Sequence, residues 1–133
     1  SCPSFNELAR DGRDVERWNR LHPADAQRAP FVTRQLADHP GPVIASTDYV
    51  KGFVDQIRAF IPKGRGYTAL GTDGFGRSDF RSLLRAHFEI DRYHIVVAAL
   101  KALADEGALP AAKAQEAIAK YGLDAAKINP LLA

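Results

Sequence analysis

Three glycines in six residues, Gly71, Gly74 and Gly76, lead into Arg77-Ser78-Asp79, and this run is the stretch best placed to do chemistry. Turn amides ahead of a helix attract phosphate. The order here is GxxGxG, however. A dinucleotide turn needs GxGxxG, and no Walker lysine follows either. Asp73 and Asp79 would repel an anion. The run therefore reads first as a structural turn, with glycines where the backbone takes positive φ or passes close to something. Arg77, Arg81 and Arg85 recur every four residues, a spacing that puts them on one helical face, with Arg65 in the preceding turn. Such a face can accept the carboxylates of an acidic partner or of a neighbouring domain, although charge rows of this kind are most often simply solvated. Arg77, Arg81, Arg85 and Asp73 are the candidate interface residues.

Other chemistry-bearing residues give weaker signals. Asp73, Asp79, Glu89 and Asp91 can lie near one another at strand ends, where carboxylates of split pKa serve acid–base work. Three of the four fall at turn or helix-cap positions, and capping or salt-bridging accounts for them. His22, His39, His87 and His94 are scattered, none at ligand spacing and none joined by cysteine, so no zinc site is expected. His87 and His94 flank Phe88-Glu89-Ile90-Asp91, where a hydrogen-bonding role is the default. Ser4 and Ser46 lack a nucleophile-elbow context, and Cys2 has no basic neighbour to activate its thiol. No residue is assigned a catalytic, cofactor-binding or metal-ligating role.

Composition narrows the class. The 133 residues fit one domain, 46% hydrophobic and 26% charged, an ordinary globular balance. A net charge of +2 argues against nucleic acid as a partner. No apolar run reaches a membrane span and no signal peptide is visible. The single cysteine excludes an internal disulfide and fits a reducing, cytoplasmic compartment. Methionine is absent and the chain opens on Ser-Cys-Pro-Ser, so the expectation is a piece of something longer.

The elements that would position these residues follow from periodicity and punctuation. Phe5 to Asp11 and Asp14 to Leu21 read as two short helices split at Gly12, with Val15 and Trp18 inward. Pro23 and Pro30 bracket a polar loop, and Phe31 to Ala37 is a short helix ahead of Pro40-Gly41-Pro42. Val43-Ile44-Ala45 is a buried strand. Thr47 or Asp48 should cap a helix through Phe60 whose apolar stripe includes Tyr49, Val50, Phe53, Val54, Ile57 and Phe60. Tyr67 to Leu70 is the next strand, parallel to the first through a right-handed crossover. Ser78 and Asp79 stand where an N-cap belongs for a helix from Phe80 to Phe88. Asp91 caps a long helix to Glu106 with Gly107 as its stop. Its Ile95 to Leu103 stretch is apolar nearly all round and should be buried, although Ile95-Val96-Val97 also suits a strand. Pro110 opens a helix ending at Tyr121-Gly122. Asp124 begins a last turn that Pro130 stops.

Two strands do not make a stable parallel sheet, so further strands are expected upstream. Their lack should leave an exposed sheet edge and an uncovered apolar face, and the isolated chain should self-associate.

The order Gly71 to Asp79, then Phe88-Glu89-Ile90-Asp91, then Ile95-Val96-Val97-Ala98-Ala99-Leu100 resembles the C-terminal region of the homodimeric pyruvate dehydrogenase family. Ala45-Ser46-Thr47-Asp48-Tyr49, Ala117-Ile118-Ala119-Lys120 and Ile128-Asn129-Pro130-Leu131-Leu132-Ala133 extend the likeness over nearly the whole chain. It implies an α/β fold, helix-rich: a three-layer α/β/α transketolase C-terminal-like domain, truncated at its N-terminal side, with residues 1–133 a partial domain. In that family pyruvate is decarboxylated on thiamine diphosphate with Mg²⁺, and a lipoyl group on the acyltransferase component is then acetylated. The implied partners are a second copy of the chain and that lipoyl acyltransferase. Cofactor and metal ligands lie in the preceding domains, so the resemblance implies neither cofactor in this segment. Another transketolase-like enzyme is the nearest competitor, which the full Gly71 to Asp79 run disfavours. Two functions are thus expected. One is a structural, interface-forming segment of an enzyme, inactive alone. The other is a non-catalytic module docking an acidic protein partner through Arg77, Arg81 and Arg85.

Overall fold

Ser4 starts the first helix. Its Oγ accepts the Glu7 N–H at 3.2 Å, satisfying one of the free donors of the first turn. The computed structural model describes all 133 residues, Ser1 to Ala133, and in it this helix, α1, runs unbroken over Phe5–Leu21. The expected division at Gly12 is wrong. Gly12 is buried within α1, and a Cβ there would lie 2.4 Å from Cδ2 of Phe60. The glycine lets an aromatic ring sit against the helix backbone, and it does not bend the helix. Further along, Trp18 stacks on His22 with ring centroids 4.3 Å apart and carries the Arg28 guanidinium 3.7 Å above its own centroid. Helix α2, Phe31–Leu36, follows the polar loop as expected.

Strands β1, Val43–Ser46, and β2, Tyr67–Leu70, pair in parallel, in register from Val43 opposite Tyr67 to Ser46 opposite Leu70. They are the whole sheet. The segment between them departs from expectation. Thr47 and Asp48 do not cap a helix that reaches Phe60. Helix α3 covers only Lys51–Asp55, and a 3₁₀ turn covers Arg58–Phe60. Thr47 Oγ1 closes a local turn by accepting the Tyr49 N–H at 3.2 Å, a competing use of a hydroxyl that holds the backbone out of the helix. Val50 stays extended, and the donor that opens α3, Lys51 N–H, is met from across the chain by Asp73 Oδ1 at 2.8 Å. The tighter turn carries Phe60 and Ile57 into a core with Ala9, Val32, Ala45, Val54, Ile61 and Tyr67.

Helix α4 spans Arg81–His87. Ser78 and Asp79 do not cap it. Asp79 Oδ1 instead takes the adjacent Phe80 N–H at 2.7 Å, and Phe80 occupies the cap position with no side-chain bond. Asp91 does cap α5, Arg92–Asp105, accepting from Tyr93 N–H at 3.0 Å and His94 N–H at 2.9 Å. Gly107 follows at φ +75°. Residues 95–97 are helical, which decides against a strand there. The apolar stretch of α5 is less covered than its composition calls for. Only Ala102 is buried and Val96 is 39% exposed, and α5 packs chiefly on β1, β2 and α6, which leave its other apolar residues half-buried. Helix α6, Ala112–Tyr121, ends at Gly122 in the left-handed conformation, the usual C-terminal signal. Pro130 does not stop a turn but opens one. The 3₁₀ turn Pro130–Leu132 is capped by Asn129, whose side-chain oxygen accepts the Leu131 N–H at 3.0 Å. Helices packed on a small parallel sheet make this an α/β fold. No helix is long and apolar enough to cross a membrane.

Candidate functional site: a cavity at the strand ends

Asp48 stands two residues beyond the end of β1, and Thr72 two beyond the end of β2. Both line one open cavity of about 420 Å³, bordered also by the glycine loop and α4. Leu84, Phe88 and Ile90 give it an apolar lining, and Arg77, Arg81 and Arg85 supply its cationic groups. The carboxyl ends of parallel strands are where open α/β sheets take their ligands, and both strand ends meet here because β1 and β2 run in parallel and in register.

The arginines do not share one helical face. Only Arg81 and Arg85 belong to α4, and Arg77 lies in the loop before it. The three converge all the same, through the loop's path rather than through helical spacing. Arg85 Nη2 donates to Asp48 Oδ2 at 3.0 Å. Arg77 and Arg81 have no ion-pair partner. Arg65, expected beside them, is occupied elsewhere, its guanidinium bonding the carbonyls of Gly41 at 2.6 Å and Leu36 at 2.8 Å. Asp73 faces α3 through Lys51 N–H and is not part of the cavity wall.

The carboxylates are likewise each placed by a bond of their own. Glu89 sits 3.2 Å from Lys127 Nζ at a φ of +60°, and Asp91 holds α5. Burial would raise the Asp91 carboxyl, but bonds from the His94 backbone and ring and the Tyr93 backbone outweigh it and hold it below the ordinary carboxylate value. His94 Nδ1 lies 2.8 Å from Asp91 Oδ1, and His22 Nδ1 lies 2.8 Å from the Trp18 carbonyl. His87 differs, because its Nε2 is buried without a hydrogen-bond partner. Cys2 is exposed. Ser4 proves to be the α1 cap, a role its place three residues before Glu7 signals. Asp48 and Thr72 are the cavity residues that reading the sequence for chemistry misses. Their signal is position, each the second residue past a strand and each inside a stretch that carries the family likeness.

The glycine loop is structural where it is tightest. A Cβ on Gly71 would lie 2.6 Å from the Tyr49 carbonyl oxygen, and one on Gly74, at φ +106°, would lie 2.2 Å from that of Pro130. These close approaches are to the chain's own backbone.

Residues 1–91 match the family model described as the transketolase-like TK C-terminal domain. The chain belongs to that family. The match ends at Asp91, the α5 cap, and the relatives carry the likeness through the remaining residues. Pyruvate dehydrogenase E1 component of Haemophilus influenzae is 59% identical over 100% of this chain. That of Cupriavidus necator is 60% identical over 98%, and that of Escherichia coli 51% over 100%. The chain spans about 15% of the length of these relatives. Within this transketolase-like domain the residues do not fit thiamine diphosphate with a metal. No group of three or more histidine, cysteine or acidic side chains is close enough to hold a cation, and the glycine turn that most resembles a phosphate cradle is filled at Gly71 and Gly74 by backbone from Tyr49 and Pro130.

Proposed function

We propose that this chain is the C-terminal segment of a pyruvate dehydrogenase E1 component, acetyl-transferring. In this reading the whole enzyme decarboxylates pyruvate on thiamine diphosphate with Mg²⁺ and acetylates a lipoyl group. It works in the cytoplasm as a homodimer, beside a lipoyl acyltransferase component. The segment contributes packing and contact surface, and the cofactor machinery belongs to the rest of the polypeptide. The observation that carries this reading is the 51–60% identity to E1 components sustained over 98–100% of the chain. The misfit between its residues and a diphosphate–metal group supports the division of labour.

Calorimetric titration of the 133-residue chain with thiamine diphosphate should show no tight, Mg²⁺-dependent binding. The longer protein carrying this segment should release CO₂ from pyruvate and acetylate a lipoyl domain. Tight cofactor binding by the chain alone would overturn the segment's assignment, and a longer protein inert toward pyruvate would overturn the parent enzyme.

A further inference from the structure

We propose that the cavity at the strand ends binds a small organic oxyanion, a carboxylate or phosphate monoester on a short apolar body. Three features converge on that ligand. The first is position, since the cavity opens past the carboxyl ends of both parallel strands, between the loop after β2 and α4.

The second is charge. Three guanidiniums and two carboxylates line the cavity, and the carboxylates are already engaged, Asp48 by Arg85 and Asp79 by the Phe80 N–H. Asp73, which in sequence stands against an anion, is bonded to α3 and does not line the cavity. Arg77 and Arg81 are left as planar forks with no carboxylate of their own, and a guanidinium fork matches a carboxylate or phosphate edge in two-point fashion. The Thr72 hydroxyl donates to the Asp48 carbonyl at 3.3 Å, so the anion's donors are the arginines.

The third is the mixture of surfaces. Leu84, Phe88 and the buried Ile90 give the ligand's body an apolar bed below the cationic rim, the usual make-up of a small-molecule site. An adjoining hollow of about 400 Å³ shares Arg77, Asp79 and Leu84 with this cavity and is lined by His87. His87 Nε2 is a buried side-chain atom with no partner, and a native structure seldom leaves such an atom unmet.

This site stands apart from the proposed parent enzyme, and a protein inert toward pyruvate would leave the following titrations unchanged. The ¹⁵N-labelled chain is titrated separately with phenyl phosphate, benzoate, inorganic phosphate and tetraglutamate, with amide shifts followed throughout. Phenyl phosphate or benzoate should move the amides of Thr72, Gly76, Leu84 and Ile90 saturably and bind more tightly than inorganic phosphate. The tighter of the two identifies the head group. R81Q should weaken binding by about tenfold or more, the scale of a lost charged hydrogen bond, with the melting temperature unchanged. R77Q, in the loop outside any helix, should do the same, and R81K should keep part of the affinity. Absence of saturable shifts in every arm would overturn the proposal, as would shifts that persist in both glutamine variants. Tetraglutamate binding more tightly than either aromatic anion would overturn it in favour of an acidic protein partner.

Discussion

Asp91 holds the start of the chain's longest apolar helix with one carboxylate oxygen, which meets two backbone N–H groups and the His94 ring. D91A should cost about 1–2 kcal/mol, the usual range for a lost N-cap, and D91S should recover most of it, as read by urea denaturation. Because the native carboxyl lies below its ordinary value, its contribution is complete above the unfolded pKa near 3.9 and is lost as pH falls through the lower native value. D91N should therefore lose less stability than the parent chain on acidification below about pH 4. Tyr67 has the opposite sign. Burial pushes its hydroxyl up to about 12, with Asp55 adding to the rise and Arg58 opposing it. Its O–H donates to the Val54 carbonyl at 2.6 Å inside the core. A protonated phenol is thus the native form, and the stability it confers is present below about pH 10 and declines as pH climbs toward 12. Y67F should cost about 1 kcal/mol at neutral pH from the unmet carbonyl and should flatten that alkaline decline in a pH series of denaturation curves.

At the scale of elements, glycine shows where sequence periodicity stops being sufficient. Gly12 and Gly52 both sit inside helices. A Cβ at Gly12 meets the Phe60 ring, while one at Gly52 meets nothing within 4 Å. G52A should stabilise by roughly 0.5–1 kcal/mol through helix propensity and a less flexible unfolded chain. G12A has the same propensity gain but must displace Phe60, so it should destabilise by about 1–3 kcal/mol as an overpacked core does. Paired thermal melts of the two variants decide the point, and equal shifts would contradict the packing account. The same contrast explains what was legible beforehand. Both strands, α2, α5 and α6 follow from local signals: β-branched or apolar runs, the Asp91 cap, and Gly107 and Gly122 after the last turns. The helix expected through Phe60 failed because a distant residue, Asp73, supplies its first acceptor at Lys51, which no window around Thr47 contains. The arginine set was legible as residues but not as geometry. Helical spacing named Arg77, Arg81 and Arg85, whereas the loop's fold against Pro130 and the ends of β1 and β2 brings them together. Asp48 and Thr72 lie in stretches that carry the family likeness, but nothing in their own residue types marks them until the two strand ends are seen to share a cavity.

Over the whole molecule, surface area says what the sheet suggests. The chain exposes 8940 Å², whereas a compact monomer of its mass should expose about 6,900 Å². Only 16 residues are buried, so the excess reflects elements that cover one another incompletely. Part of the uncovered surface is an apolar groove. A groove of about 1350 Å³ runs beside β1, lined by Phe5, Leu8, Ile44, Phe53, Tyr93 and Ile95 among others. The strand edge along it has no neighbour, and an open edge beside apolar surface is a template for another chain. The area to spare, about 2,000 Å² on one chain, exceeds the roughly 800 Å² that each partner of a standard protein–protein interface buries. The isolated chain should therefore associate with itself, and sedimentation equilibrium should show a mass that rises above the monomer with concentration. Apolar burial is not screened by salt as charge pairing is, so the association should persist at high ionic strength. A monomer at every concentration would show that the groove is tolerated in water, and association that vanished in salt would move its cause to the arginine cavity.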